Sequence, residues 1–340
     1  ENRKEIFEGV DSRFKFVVMT FEKGGRTERF SAAFMRHEVA ELVGFPGEIG
    51  LPLSVELIRR LSPDSHSVME FKSEMDIRIA EKMLKFPLLG ERIEGKWNLA
   101  FIREFDMTND SHLFKIEKGK ERLSLYEGKM IHQFDVGFEK PRYWVDHGEA
   151  EADLRSSRAR NFRQQFKRLG IEDDVRLDKL VRQKEIPLDH HQYRFGFRDV
   201  ARNTDERSMI CALLPPTVCA GNTLNLLQPY IFEVAPDGWE AYSSLSDTEK
   251  LFVVGVLNSF TVDWLLRQKI TSHLNMFYVY QTPLPRLTDS DPAFSPIVTR
   301  AALLTCTTPE FDDLARQVGL TSHTEGVTDP IERARLRAEL

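Results

Sequence analysis

The sequence predicts an α+β protein built from small mixed or antiparallel sheets with flanking helices. Three observations carry that expectation. Short runs of bulky apolar residues recur with polar interruptions, as strands of small sheets do. They include 123–126, 129–134, 193–199 (YRFGFRD), 207–214 (RSMICALL) and 276–281 (MFYVYQ). A strongly charged segment with helical character occupies 149–184. Ser246-Asp-Thr-Glu249 has the form of a capping box and opens a long apolar helix.

Taken in chain order, residues 14–21 (FKFVVMTF) are apolar on both faces, which predicts a strong, buried strand. Gly24-Gly25 follows, then RTERFSAAF, so the two runs predict a hairpin. Apolar spacing predicts helices over 52–61 and 73–85, and WNLAFIREF (97–105) reads as a further strand. The charged run KIEKGKER (115–122) predicts a boundary that separates residues 1–120 from a second domain, 121–290. Pro283 and Pro285 end the strand read at 276–281, DSDPAFSP (289–296) is a turn, and 291–340 is a helical C-terminal segment. The start lacks an initiator methionine and an apolar signal core, and the end stops inside a helical pattern, so both ends read as cut from a longer chain.

Bulk properties exclude some classes. The 340 residues are 41% hydrophobic and 29% charged, which allows two domains with real cores. No run of eighteen apolar residues occurs, so no membrane span is expected. Three cysteines without a CxxC pair predict a reducing, cytoplasmic setting. With a net charge of −6, any site for a polyanion must come from local clustering.

Several chemistries can be weighed on spacing. Pro63-Asp64, Glu70 and Lys72 mimic the pattern of Mg²⁺-dependent nucleases, in which two carboxylates hold the ion and a lysine assists the attacking water. Their separation is short for two strands that share one metal, and LSPDS also reads as a helix stop. His190 and His191 are adjacent, so on a strand they would face opposite sides, and no His/Cys cluster shows ligand spacing. No metal is therefore expected. No GxG turn occurs, and Pro215-Pro216 follows Leu214 rather than Asn or Asp. The motifs that hold S-adenosylmethionine and an adenine amine are thus missing.

A polyanion site has more support. RSSRARNFRQQFKR (155–168) contains six cations, Arg155, Arg158, Arg160, Arg163, Lys167 and Arg168, and no acid. On a helix Phe162, Phe166 and Leu169 share one face, and Arg160, Arg163 and Lys167 the other. Such cations can displace counterions from phosphates. The same helix could equally be solvated and paired with EDD (172–174). A second cluster, 197–207, holds Arg198, Arg202, Asn203 and Arg207, and arginine and asparagine are good readers of guanine and adenine edges. An ion pair with Asp199 or Asp205 would also account for Arg198. In LYEGKMIHQFD (125–135), Gly128 lets the chain bend and Lys129 projects beside it. Strand alternation places His132 with Met130 and Phe134, so Gln133 is the residue expected to face outward.

Five separated blocks occur in order: ENRKEIFEGVDSRFKFVVMTFEKGG (1–25), EFDMTNDSHLF (104–114), LYEGKMIHQFD (125–135), FRDVARNTDERSMICALLPP (197–216), and LNSFTVDWLLRQK with LNMFYVYQTPLP (257–285). Together they resemble the C-terminal half of large N6-adenine DNA methyltransferases of the type IIG restriction–modification kind, and related phage-defence methylases. The resemblance spans nearly the whole chain. It implies that residues 1–45 are closing strands of an α/β methyltransferase domain and that 1–120 is a remnant of that domain plus connector. It implies a target-recognition domain from about Leu123, double-stranded DNA as partner, and S-adenosylmethionine in a catalytic domain outside this chain or on a partner chain. This chain alone is expected to hold no cofactor and to be non-catalytic. The roles of individual residues rest on side-chain chemistry: Lys129 and the cations of 155–168 on phosphates, and some of His132, Gln133, Arg198, Arg202, Asn203 and Arg207 on base edges. Two alternatives stand beside it, the nuclease that uses Asp64, Glu70 and Lys72, and a defence-complex scaffold whose basic helix docks an acidic protein.

Overall fold

The structure is a computed structural model that describes residue 2 and residues 4–340. It is a mixed α+β architecture of small sheets with flanking helices, and it divides into two compact units. The first comprises residues 1–88 with 281–284, and the second residues 89–280 with 285–340.

In the first unit, strand β1 (Arg29–Ala32) pairs antiparallel with β2 (Leu51–Ser54). Helix α1 (Val55–Leu61) starts directly at the end of β2 because Ser54 caps it: the Ser54 hydroxyl accepts the Leu57 N–H at 3.0 Å. Helix α2 (Glu74–Met83) opens on a reciprocal box between Ser73 and Asp76. Both occupy the segments where helical spacing predicts them. Residues 14–21 correct the expectation of a buried strand. They form no strand, and Phe14, Val17, Val18, Met19 and Phe21 are exposed. A strand exists only through a neighbour that takes its N–H and C=O groups, and among the described residues no strand pairs with 14–21.

The second unit begins with β3 (Phe101–Ile102), β4 (Phe114–Lys115), β5 (Arg122–Tyr126) and β6 (Tyr143–Asp146). Helices α3 (His147–Arg168) and α4 (Asp174–Val181) follow. Strands β7 (Arg194–Arg198), β8 (Cys211–Leu214), β9 (Cys219–Ala220) and β10 (Leu224–Leu227) come next, then the hairpin β11 (Tyr230–Ala235) and β12 (Gly238–Ser243). The chain ends in helices α5 (Asp247–Leu257), α6 (Phe260–Arg267), α7 (Met276–Tyr280), α8 (Phe294–Thr305), α9 (Asp312–Gln317) and α10 (Pro330–Glu339). One four-stranded sheet, ordered β3-β10-β7-β8, is antiparallel throughout. The other, β4-β6-β5-β9, is mixed, because β5 and β9 run parallel. The charged run 115–122 lies within this unit, between β4 and β5.

The capping box at Ser246 forms as its spacing predicts: the Glu249 N–H reaches Ser246 Oγ at 3.2 Å, and the Ser246 N–H reaches Glu249 Oε2 at 2.8 Å. The apolar stretch behind it is two helices, because Ser259 caps a new one in α6. Asn258, at the break, accepts the Cys211 N–H and donates to the Cys211 carbonyl, so its side-chain amide serves β8 as a strand partner would. Three expected strands are corrected. Residues 128–130 form a 3-10 turn, and 132–135 closes a tight turn in which Phe134 takes φ +62°. Residues 276–280 are the helix α7. Only 101–102 of the run 97–105 is strand. Gly128 is fixed by close approach: a Cβ there would lie 2.7 Å from the Thr223 carbonyl oxygen.

Candidate nucleic-acid interface

Helix α3 is amphipathic by position. Phe162 and Phe166 are fully buried and pack with Ile171, Leu177, Val181, Ile186 and Trp239. That cluster locks α3 against α4 and the β11–β12 hairpin and turns Arg160, Arg163, Lys167 and Arg168 outward. Leu169, expected on the same face, is exposed, because the helix ends at Arg168 and the chain turns away at Gly170 (φ +84°). Between α3 and the segment 181–186 lies an open groove of about 520 Å³. Five cations line it, Arg155, Arg160, Arg163, Arg182 and Lys184, against a single carboxylate, Glu185.

The groove cations differ in how firmly they are held. Arg155 bonds the Ile186 carbonyl at 2.8 Å and pairs with Glu185 at 2.8 Å and Glu151 at 3.6 Å. Arg163 pairs with Asp178. Lys184 pairs with Glu240 at 2.6 Å and lies over the Trp239 ring. Arg160 donates to Ser157 Oγ at 2.6 Å and is exposed, as are Arg182, Lys167 and Arg168. Among the described residues, no carboxylate lies within ion-pair distance of Arg160 or Arg182.

Other expected site residues are structural. Arg158 pairs with Asp189 at 2.9 Å with both side chains largely buried, and stacks over Phe232 at 4.5 Å. Burial pushes the Asp189 carboxyl up to about 6, against the pull of Arg158. Arg198 wraps the Ile131 carbonyl through Nε and Nη2, and burial lowers its pKa. Arg207 lies over the Phe260 ring at 3.7 Å and beside Asp263 at 3.7 Å, again with its pKa lowered by burial. Gln133 corrects the alternation argument. It is 1% exposed, and its Nε2 donates to the carbonyls of Met209 at 3.0 Å and Asn258 at 3.2 Å. His132 instead reaches the half-exposed surface and lies against Phe138. The inversion follows from the turn: without a strand at 129–134, period-two alternation does not apply. Lys129, Arg202 and Asn203 are exposed, Lys129 with Glu127 at 3.6 Å.

The residues of the nuclease pattern have contacts of their own. Asp64 accepts from Gln281 at 3.0 Å, Glu70 pairs with Lys15 at 2.6 Å, and Lys72 is exposed. His190 and His191 also depart from expectation. They lie in a 3-10 turn, and with His147 and Glu151 they form the one group of three or more His, Cys, Asp or Glu among the described residues whose ligand atoms are close enough for a metal ion. Sequence reasoning also missed Arg182 and Lys184. They lie outside the basic run and reach the groove only because α4 folds back along α3.

No helix among the described residues is long and apolar enough to cross a membrane. Comparison with protein-family models and with curated proteins finds no match.

Proposed function

We propose that this chain binds duplex DNA as the target-recognition part of a site-specific N6-adenine DNA methyltransferase of a restriction–modification or phage-defence system. The observation that carries the reading is the groove beside α3, which five cations line on a chain of net charge −6 and in which Arg160 and Arg182 have no carboxylate within ion-pair distance among the described residues. Phosphate attraction depends on where charge lies, and this clustering supplies it locally. In this reading Arg160 and Arg182, extended by Lys167 and Arg168, contact the DNA backbone and set the register. Lys129, also exposed, joins the phosphate contacts, and Arg202 and Asn203, exposed and able to donate or accept at base edges, are the candidates for sequence reading. The methyl transfer itself belongs to a domain that carries the donor site and the adenine pocket, since this sequence has neither motif.

The test is selection of the purified chain against a randomised duplex pool, read out by sequencing. The expected result is enrichment of an asymmetric motif that contains adenine. Binding without enrichment reduces the groove to a non-specific polyanion site, and no binding removes the reading altogether.

A further inference from the structure

At the other end of α3, away from its basic last turns, His147 opens the helix and Glu151 follows one turn later on the same face. The 3-10 turn Asp189–His191 brings two more imidazoles to that face. The Nε2 atoms of all three histidines converge on Glu151 Oε1, at 2.9 Å from His191, 3.4 Å from His147 and 3.7 Å from His190. All four ligand atoms lie within 4.8 Å of one another. His190 is fully buried, and among the described residues neither of its ring nitrogens has a hydrogen-bond partner; Nε2 of His147 is likewise buried without one. Buried polar atoms in native proteins are nearly always satisfied, so the two unsatisfied Nε2 atoms of His147 and His190, both facing one carboxylate oxygen, call for a common partner.

We propose that His147, Glu151, His190 and His191 form a tetrahedral site for a zinc-type divalent cation. Bonds of about 2.0–2.1 Å to nitrogen or oxygen place tetrahedral ligands about 3.3 Å apart. The three separations at Glu151 Oε1 bracket that value, so modest side-chain rotation closes the site. Hydrogen bonding alone does not: the Glu151 oxygen takes the His191 proton and leaves the other two rings unserved. A cation would engage all four ligands together. Three imidazoles and one carboxylate suit Zn²⁺, Co²⁺ or Ni²⁺, whereas Mg²⁺ and Ca²⁺ favour oxygen. Four protein ligands fill the tetrahedron and leave no position for substrate, which makes the site structural.

Its surroundings are those of a built site. The second Glu151 oxygen faces Arg155 Nη2 at 3.6 Å, which holds Oε1 toward the histidines. The His147 N–H donates to Glu121 O at 2.8 Å, and His190 O accepts the Thr217 N–H at 2.7 Å, fixing both ligand-bearing backbones. The metal would cross-link the start of α3 to the turn that leads into β7. This inference stands apart from what the groove binds.

The full chain, stripped with a chelator, is titrated with Co²⁺ and then Zn²⁺ while visible absorption and bound metal are followed. The expected result is about one equivalent of Co²⁺ with the spectrum of a tetrahedral N/O site, displaced by Zn²⁺. Glu151→Gln and His191→Ala, both at partly exposed positions, should each weaken Co²⁺ binding by more than about 100-fold, beyond the usual cost of outer-shell changes. Circular dichroism reports whether each variant is folded. Failure of the wild-type chain to take up an equivalent overturns the proposal. Unchanged affinity in a folded Glu151→Gln or His191→Ala chain does the same.

Discussion

Replacing Arg160 and Arg182 together with alanine tests the groove where its charge is least committed. Arg163, Lys184 and Arg155 each have a carboxylate partner, Asp178, Glu240 and Glu185 respectively, and offer a phosphate only what remains when that partner is displaced. Among the described residues Arg160 is held only by Ser157, and Arg182 is exposed. Each phosphate contact contributes about −0.9 to the slope of log K against log salt, so losing two flattens the slope by about 1.8. From about 50 to 200 mM salt the wild-type chain should therefore lose about tenfold more affinity than the variant. Fluorescence anisotropy of a labelled duplex across that range reads both slopes. Arg335→Ala is the control: it removes one positive charge on α10, paired there with Glu332 and Glu339, and should leave the slope unchanged. Equal slopes for wild type and the double variant would refute the groove as a phosphate site, and an equal drop for Arg335→Ala would reduce it to a net-charge effect.

Three further outcomes follow from buried contacts. Gln133→Leu leaves the Met209 and Asn258 carbonyls without their donor, which should cost about 1–3 kcal/mol in urea unfolding while the folded chain keeps its DNA affinity; reduced affinity at unchanged stability would contradict its place in the core. Arg194→Met strips the counter-charge from Glu104, whose other oxygen holds the Ala220 N–H at 2.9 Å, and breaking such a fully buried pair should cost about 3–5 kcal/mol. A loss within the range of surface substitutions would show that water reaches Glu104. Cys211, Cys219 and Cys306 are all buried with their thiols pushed up by burial, Cys306 to about 12, so a thiol reagent should label none of them until denaturant is added; prompt labelling of the native chain would place a thiol at the surface.

What was legible in the sequence was local. The box at Ser246, the capped helices at 55–61 and 74–83, and the buried phenylalanines of α3 depend on residues within a turn or two, and each forms where the spacing puts it. What failed depended on partners far along the chain. The run 276–281 is rich in aromatic residues, which favours a strand, yet 276–280 form a helix whose Tyr280 hydroxyl accepts the Phe101 N–H at 2.7 Å while its ring packs on Phe101. Strand propensity is largely packing against neighbours, and here the neighbours favour a helix. The groove was half legible: the cations of 155–168 announce themselves as a run, but Arg182 and Lys184 join only through tertiary folding. The histidine cluster was hidden by a wrong local assumption. Adjacent residues diverge on a strand, whereas the 3-10 turn swings both His190 and His191 toward Glu151.

Residues 14–21 carry a consequence for handling the chain. Apart from the half-covered Phe16, which packs on Phe7, every side chain in this stretch is exposed. Proteases take substrates as extended backbone, and regular structure protects a chain by denying them that shape. This segment belongs to no helix or strand that would deny a protease that shape, and its exposed bulky residues can fill a specificity pocket. Brief digestion should therefore nick the first unit here before cutting the strands and helices of the second, and the size of the surviving fragment would report how much of the chain stands without its first residues.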